Sequence, residues 1–108
     1  MSKFDIIAFR EGDMRAFELL FEEYFRALRR YAAGIIDDRE VAKDIVLESF
    51  ANLWKKHPQF ENKEAIEGYL FNAAKFGCLA HIRSQRRKQS IEDEFALYLK
   101  AKEEDAEL

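Results

Sequence analysis

Three aromatic residues, Tyr69, Phe71 and Phe76, precede a basic cluster, Arg83, Arg86, Arg87 and Lys88, on a stretch that reads as one helix. Phe60 and Asn62 lie in the loop that leads into it. Aromatic faces stack unpaired bases, and Arg and Lys contact phosphates. An Asn amide reads a base edge. Composition alone leaves a second reading open, in which the aromatics are core and the basic residues are a solvated helix end. A different chemistry is offered by Asp44 and Glu48, one helical turn apart with Leu47 between them. An exposed leucine flanked by two acids suits a basic helical partner. The alternative is an ordinary acidic face with one stray apolar residue.

Catalysis finds little to work with. His57 and His81 are 24 residues apart and have no acidic partner at a standard spacing. The chain has no Gly-rich phosphate loop, no HExxH and no nucleophile elbow. Its one cysteine, Cys78, cannot close an internal disulfide or build a cysteine metal cluster, and on an apolar helix it reads as a small core residue. The expectation is a protein that is not an enzyme and needs no cofactor or metal.

The elements that position these groups follow from length and pattern. A chain of 108 residues with 48% apolar residues and ten Phe builds one domain with a real core. Four Gly and one Pro are too few for the turns of a sandwich or barrel, so the expectation is all-α. No apolar run is long enough to span a bilayer, and the segment from Met1 to Asp5 has no signal-peptide core, which makes the cytoplasm the default compartment. The net charge of −3 hides a strong asymmetry. Residues 69–88 carry five basic residues and no acid, whereas residues 89–108 carry two basic residues and seven acids. Overall acidity therefore does not exclude a nucleic-acid surface.

Phe4 to Arg10 reads as a short helix, and Asp13 as the N-cap of the next. Met14, Phe17, Phe21, Tyr24, Leu28, Tyr31 and Ile35 then step by three and four residues along one stripe, widened by Leu20, Phe25 and Ala32. A break follows at Ile36-Asp37-Asp38, where Asp37 and Glu40 have capping-box spacing. A third helix places Val41, Ala42, Ile45, Val46, Ser49, Phe50, Leu53 and Trp54 on one face and Asp44, Leu47, Glu48 and Ala51 on the other. Pro58 ends it. A fourth helix is expected from about Ala65 to Lys88, with Ser90 capping a separate acidic segment over 91–107.

The order AFELLFEEYFRALRRYA, DREVAKDIVLESFANLWKK and YLFNAAKFGCLAHIRSQRR resembles region 2 of the sigma-70 family, and most closely the extracytoplasmic-function sigma factors of bacteria. The likeness covers about residues 4–88, and the middle block is its most specific part. It implies a compact helical bundle of three to four main helices over 1–88. Residues 89–108 would be an acidic linker or frayed helix toward a missing second domain that binds the −35 element, making the chain an excised domain of a longer protein.

The resemblance also implies two partners and the residues that meet them. Core RNA polymerase would dock, through the clamp helices of its β′ subunit, at Asp44, Leu47, Glu48 and Ala51. The non-template strand of the promoter −10 element would be captured at Phe60, Asn62, Lys63, Tyr69, Asn72, Lys75 and Phe76, with Arg83, Arg86 and Arg87 on nearby phosphates. An anti-sigma factor is a further candidate partner. This chain carries Leu47 where the family usually has Gln, Lys75-Phe76 where it has Arg-Asn, and Ala80 where an acid is common. Without the resemblance, the residues also fit a helical protein-interaction module with no DNA role, or a general binder of duplex DNA.

Overall fold

In the computed structural model, which describes residues 4–107, the chain is all-α, with no strand among the described residues. Met1–Lys3 and Leu108, the outer ends of the two expected domains and the start of the segment read for a signal, lie outside it. The elements are α1 (Ile6–Arg10), α2 (Met14–Ile35), α3 (Arg39–Lys55), a single 3-10 turn (His57–Gln59) and α4 (Lys63–Glu107). Among the described residues, no helix is long and apolar enough to cross a membrane.

Each helix begins where a side chain satisfies amides that have no intrahelical partner. Asp5 Oδ1 accepts from the Ile7 and Ala8 amides, and Asp13 Oδ1 from Arg15. At α3 the cap is one residue later than the capping-box spacing predicts. Asp38, not Asp37, accepts from the Glu40 and Val41 amides, at 3.1 and 3.2 Å. Asp37 instead makes the reversal, in left-handed backbone at φ 42°, a conformation that Asp tolerates better than most residues. At α4 the cap is Asn62, whose Oδ1 accepts from the Ala65 amide at 2.8 Å, so the helix starts at Lys63 rather than Ala65.

The core is a three-helix seam closed at one end by α1. From α2 it takes Ala16, Leu20, Tyr24, Leu28 and Ala32; from α3 Ala42, Val46, Ser49, Phe50 and Leu53; from α4 Ile66, Leu70, Ala74 and Cys78. Two of these lines step strictly by four, the row of side chains that forms a packing ridge. The stripe expected on α2 is thereby recentred. Met14 and Tyr31 are exposed, and the buried line runs through the small residues Ala16 and Ala32. Phe9 plugs the end of the seam with its ring edge on Trp54 and His57, and Arg10 Nε donates to the Pro58 carbonyl.

Gly77 on α4 packs directly against Ile45 of α3. A methyl group there would lie 2.7 Å from Ile45 Cγ2. Gly77→Ala gains about 0.5–1 kcal/mol of helix propensity but overpacks against a stiff β-branched side chain, at about 1–3 kcal/mol. The net expectation is a loss of about 1–2 kcal/mol in urea unfolding. The same exchange made in an Ile45→Ala background should stabilise.

Past Ile82 the fold departs from the expected break. α4 does not stop near Lys88, and Ser90 caps nothing; the helix runs through it to Glu107. Every residue from Arg83 to Ala106 is exposed. The molecule is accordingly long, 76 × 23 × 18 Å.

Candidate nucleic-acid and protein interfaces

Asp44, Leu47, Glu48 and Ala51 all lie on the outer side of α3, opposite the buried line of Ala42, Val46 and Leu53. Their steps of three, one and three residues keep them on one face of a helix with about 3.6 residues per turn. Leu47 is 38% exposed. Neither Asp44 nor Glu48 takes part in an ion pair among the described residues. The face is thus open, acidic and apolar at its centre.

The residues read from α4 divide into groups. Tyr69, Asn72, Phe76, Arg83 and Arg87 step by three, four, seven and four residues and share one outward face about 27 Å long. Lys75 and Arg86 flank it. Phe76 is 61% exposed, with the Lys75 ammonium 5.9 Å from its ring centroid. The face away from Lys75 is free to stack on a flat apolar partner. Phe60 and Tyr69 are half-buried and held edge to face at 5.3 Å. They form a fixed aromatic wall where the loop meets the helix. Phe71 turns to the other side and packs on Tyr31, at 5.3 Å. The two readings of these aromatics therefore split by residue, with Phe71 partly core and Phe76 outside it.

Asn62 and Lys63 have structural occupations. The Asn62 carbonyl oxygen is spent on the helix start, which leaves its amide nitrogen for any further contact. Lys63 donates to Glu23 at 2.8 Å and lies 5.8 Å from the Tyr24 ring centroid. Arg83, Arg86 and Arg87 are exposed and, among the described residues, unpaired. They stand about two to three turns beyond Phe76. Lys56, read in sequence only as a cation at the end of α3, brings its ammonium to 5.4 Å from the Tyr69 ring centroid. Thirteen residues separate the two, so no local spacing announces this contact.

Among titratable groups, Tyr24, in the core line of α2, is strongly perturbed. Burial raises its phenol well above the usual value; its hydrogen bond to Glu67 Oε2, at 2.9 Å, and the charges of Glu23, Glu67 and Glu64 push the same way. A raised folded-state pKa means the native state holds the proton more tightly. Its contribution is complete below the unfolded value of about 10 and is lost as pH rises above it. Urea melts across the alkaline range should show wild type losing stability faster than Tyr24→Phe. Burial also raises the Cys78 thiol, which keeps it protonated and unreactive. No group of three or more His, Cys, Asp or Glu side chains among the described residues is placed to hold a metal ion.

The molecule is an all-α bundle with two open faces of opposite chemistry, on different helices. The sigma-70 region 2 family model matches residues 20–88. The chain belongs to that family, and with it to the sigma-factor side of transcription initiation. All the residues read above for polymerase and DNA fall inside the matched span. No curated protein and no solved structure matched the chain.

Proposed function

We propose that this domain is the region 2 module of an extracytoplasmic-function type sigma factor. It docks on the β′ clamp helices of core RNA polymerase through α3 and captures the melted −10 element on α4. The observation that carries this reading is the separation of an acidic, leucine-centred face on α3 from an aromatic and basic face on α4, both open to solvent. Extruding a base from a duplex costs a few kcal/mol, and a stacking surface for the extruded form offsets it. The Phe60–Tyr69 wall and Phe76 supply that surface, and the arginines beyond them hold the strand by its phosphates. No nucleotide hydrolysis is required, so the role is binding and not catalysis.

In this reading residues 1–88 form the working domain, and residues 89–108 lead toward a second, −35-binding domain. An anti-sigma factor would act by covering either open face.

The test is fluorescence anisotropy with labelled non-template and template strands of a −10 region at two salt concentrations. Preference for the non-template strand, weakened by salt, supports capture. In the same protein, Asp44→Ala with Glu48→Ala should weaken clamp-helix pull-down by roughly thirtyfold while leaving strand binding unchanged, since each acid desolvated against a basic partner contributes on the order of 1 kcal/mol. Clamp-helix binding without any strand binding would favour the protein-interaction reading, and preference for duplex over single strand would favour a general DNA binder.

A further inference from the structure

The part of α4 beyond Ile82 leaves the bundle as a lone helix, about 37 Å long at 1.5 Å per residue. It is not polar all round. Ile91, Phe95 and Tyr98 recur at steps of four and three, with Leu99 beside them. Phe95 and Tyr98 are 60% and 56% exposed and stack only on each other, with centroids 6.4 Å apart. Lys102 lies over Tyr98, with its ammonium 5.7 Å from the ring centroid, and so continues the stripe with its alkyl stem. A single helix in water gains only a few tenths of a kcal/mol from each such neighbouring pair, and an exposed run of large apolar residues marks an interaction surface.

We propose that this stripe is a self-association surface, on which a second copy of the chain packs antiparallel about a two-fold axis between Ala96 and Leu97. The charge pattern selects both the occupant and the direction. In heptad terms Lys88, Phe95 and Lys102 occupy one seam position (a), and Ile91, Tyr98 and Asp105 the other (d). In an antiparallel pair the first kind meets the second across the seam. The axis at 96/97 sets Phe95 against Tyr98 of the second copy, Ile91 against the Lys102 stem, and Lys88 against Asp105. Each layer occurs twice by symmetry, giving an aromatic centre, aliphatic flanks and closing ion pairs. The same axis turns the acids at 92–94 toward residues 99–101, which include Lys100, and the acids at 103–105 toward 88–90.

A parallel pair does the opposite. It sets Lys88 on Lys88, Lys102 on Lys102 and Asp105 on Asp105, with the basic block 83–88 facing itself. Like charges in register oppose association. The antiparallel pair also has room for both bundles. Ile82, where the bundle ends, is about 20 Å along the helix from the axis, so the two bundles sit at opposite ends of the paired helices.

The test is sedimentation equilibrium of the 108-residue chain from low to high micromolar concentration at low salt. A monomer–dimer equilibrium is expected. Lys88→Asp alone and Asp105→Lys alone should each weaken the dimer by roughly tenfold, because two symmetric ion pairs become two like-charge contacts. Lys88→Asp combined with Asp105→Lys restores the wild-type dimer, and Phe95→Glu abolishes it. These side chains touch nothing in the core, so far-ultraviolet circular dichroism and thermal melting of the variants, at concentrations where wild type is monomeric, should match wild type. Monomer at every concentration overturns the proposal, as does a double exchange as weak as either single one. Self-association is independent of promoter capture, since the assay contains neither DNA nor polymerase.

Discussion

Phe50→Ala is expected to lower the stability of the bundle by about 3–5 kcal/mol. Phe50 is 2% exposed and sits at the centre of the α2–α3 seam. Its ring meets Phe21 at 5.0 Å and Phe17 edge to face at 6.2 Å. Phe21 in turn stacks on Phe25, and Phe17 packs on Trp54. Removing Phe50 therefore opens a cavity in the middle of an aromatic wall whose neighbours are held from both sides. A domain of this size has about 5–15 kcal/mol of total stability, so the loss is a large share of it. Urea unfolding measures it. A loss below about 1 kcal/mol would show that the flanking rings collapse into the space. Binding to polymerase and to DNA should fall together in this variant, because both faces rest on the same seam.

The second large effect is expected at Phe76, and it is confined to one activity. Phe76→Ala removes a ring that touches no core residue, so stability should change by less than about 0.5 kcal/mol. Base stacking on an aromatic side chain is worth about 1–3 kcal/mol, which corresponds to a roughly 5- to 150-fold loss of single-strand affinity. Tyr69→Ala should differ in kind. Tyr69 is half-buried against Phe60, with Lys56 over its ring, so its removal should cost stability as well as affinity. Anisotropy with the non-template strand, set beside urea unfolding of each variant, separates the two. Unchanged strand affinity in Phe76→Ala would remove Phe76 from the DNA interface.

Much of this organisation is legible in the order of residues. The α3 pattern is the clearest case. Ala42, Val46, Ser49, Phe50 and Leu53 are buried, as their spacing implies, and the complementary face carries Asp44, Leu47, Glu48 and Ala51. The outer face is itself partly apolar, through Leu47 and Ala51, but the buried positions still recur every three or four residues. The α2 stripe was less legible. Large aromatics dominate any reading of periodicity, but the buried line runs from Ala16 through Leu20, Tyr24 and Leu28 to Ala32 and leaves Met14 and Tyr31 exposed. Helix α4 was the least legible. Its first half is apolar on nearly every side, so periodicity alone does not separate Phe71, packed on Tyr31, from Phe76, open to solvent.

By itself, the sequence determined the helical class, the starts of α1 to α4 to within a residue or two, and the division of charge between α3, the middle of α4 and its acidic end. These are local properties, set by capping, periodicity and composition. Only the tertiary structure decided which aromatics are spent on the core, that Lys63 is tied to Glu23 and Lys56 drawn over Tyr69, and that α4 runs unbroken past Ser90 into solvent. The first two depend on contacts between residues far apart in the chain, which no local spacing encodes. The last follows because Ser90 sits among strong helix formers, and a serine caps a helix only where the preceding chain has already left helical geometry.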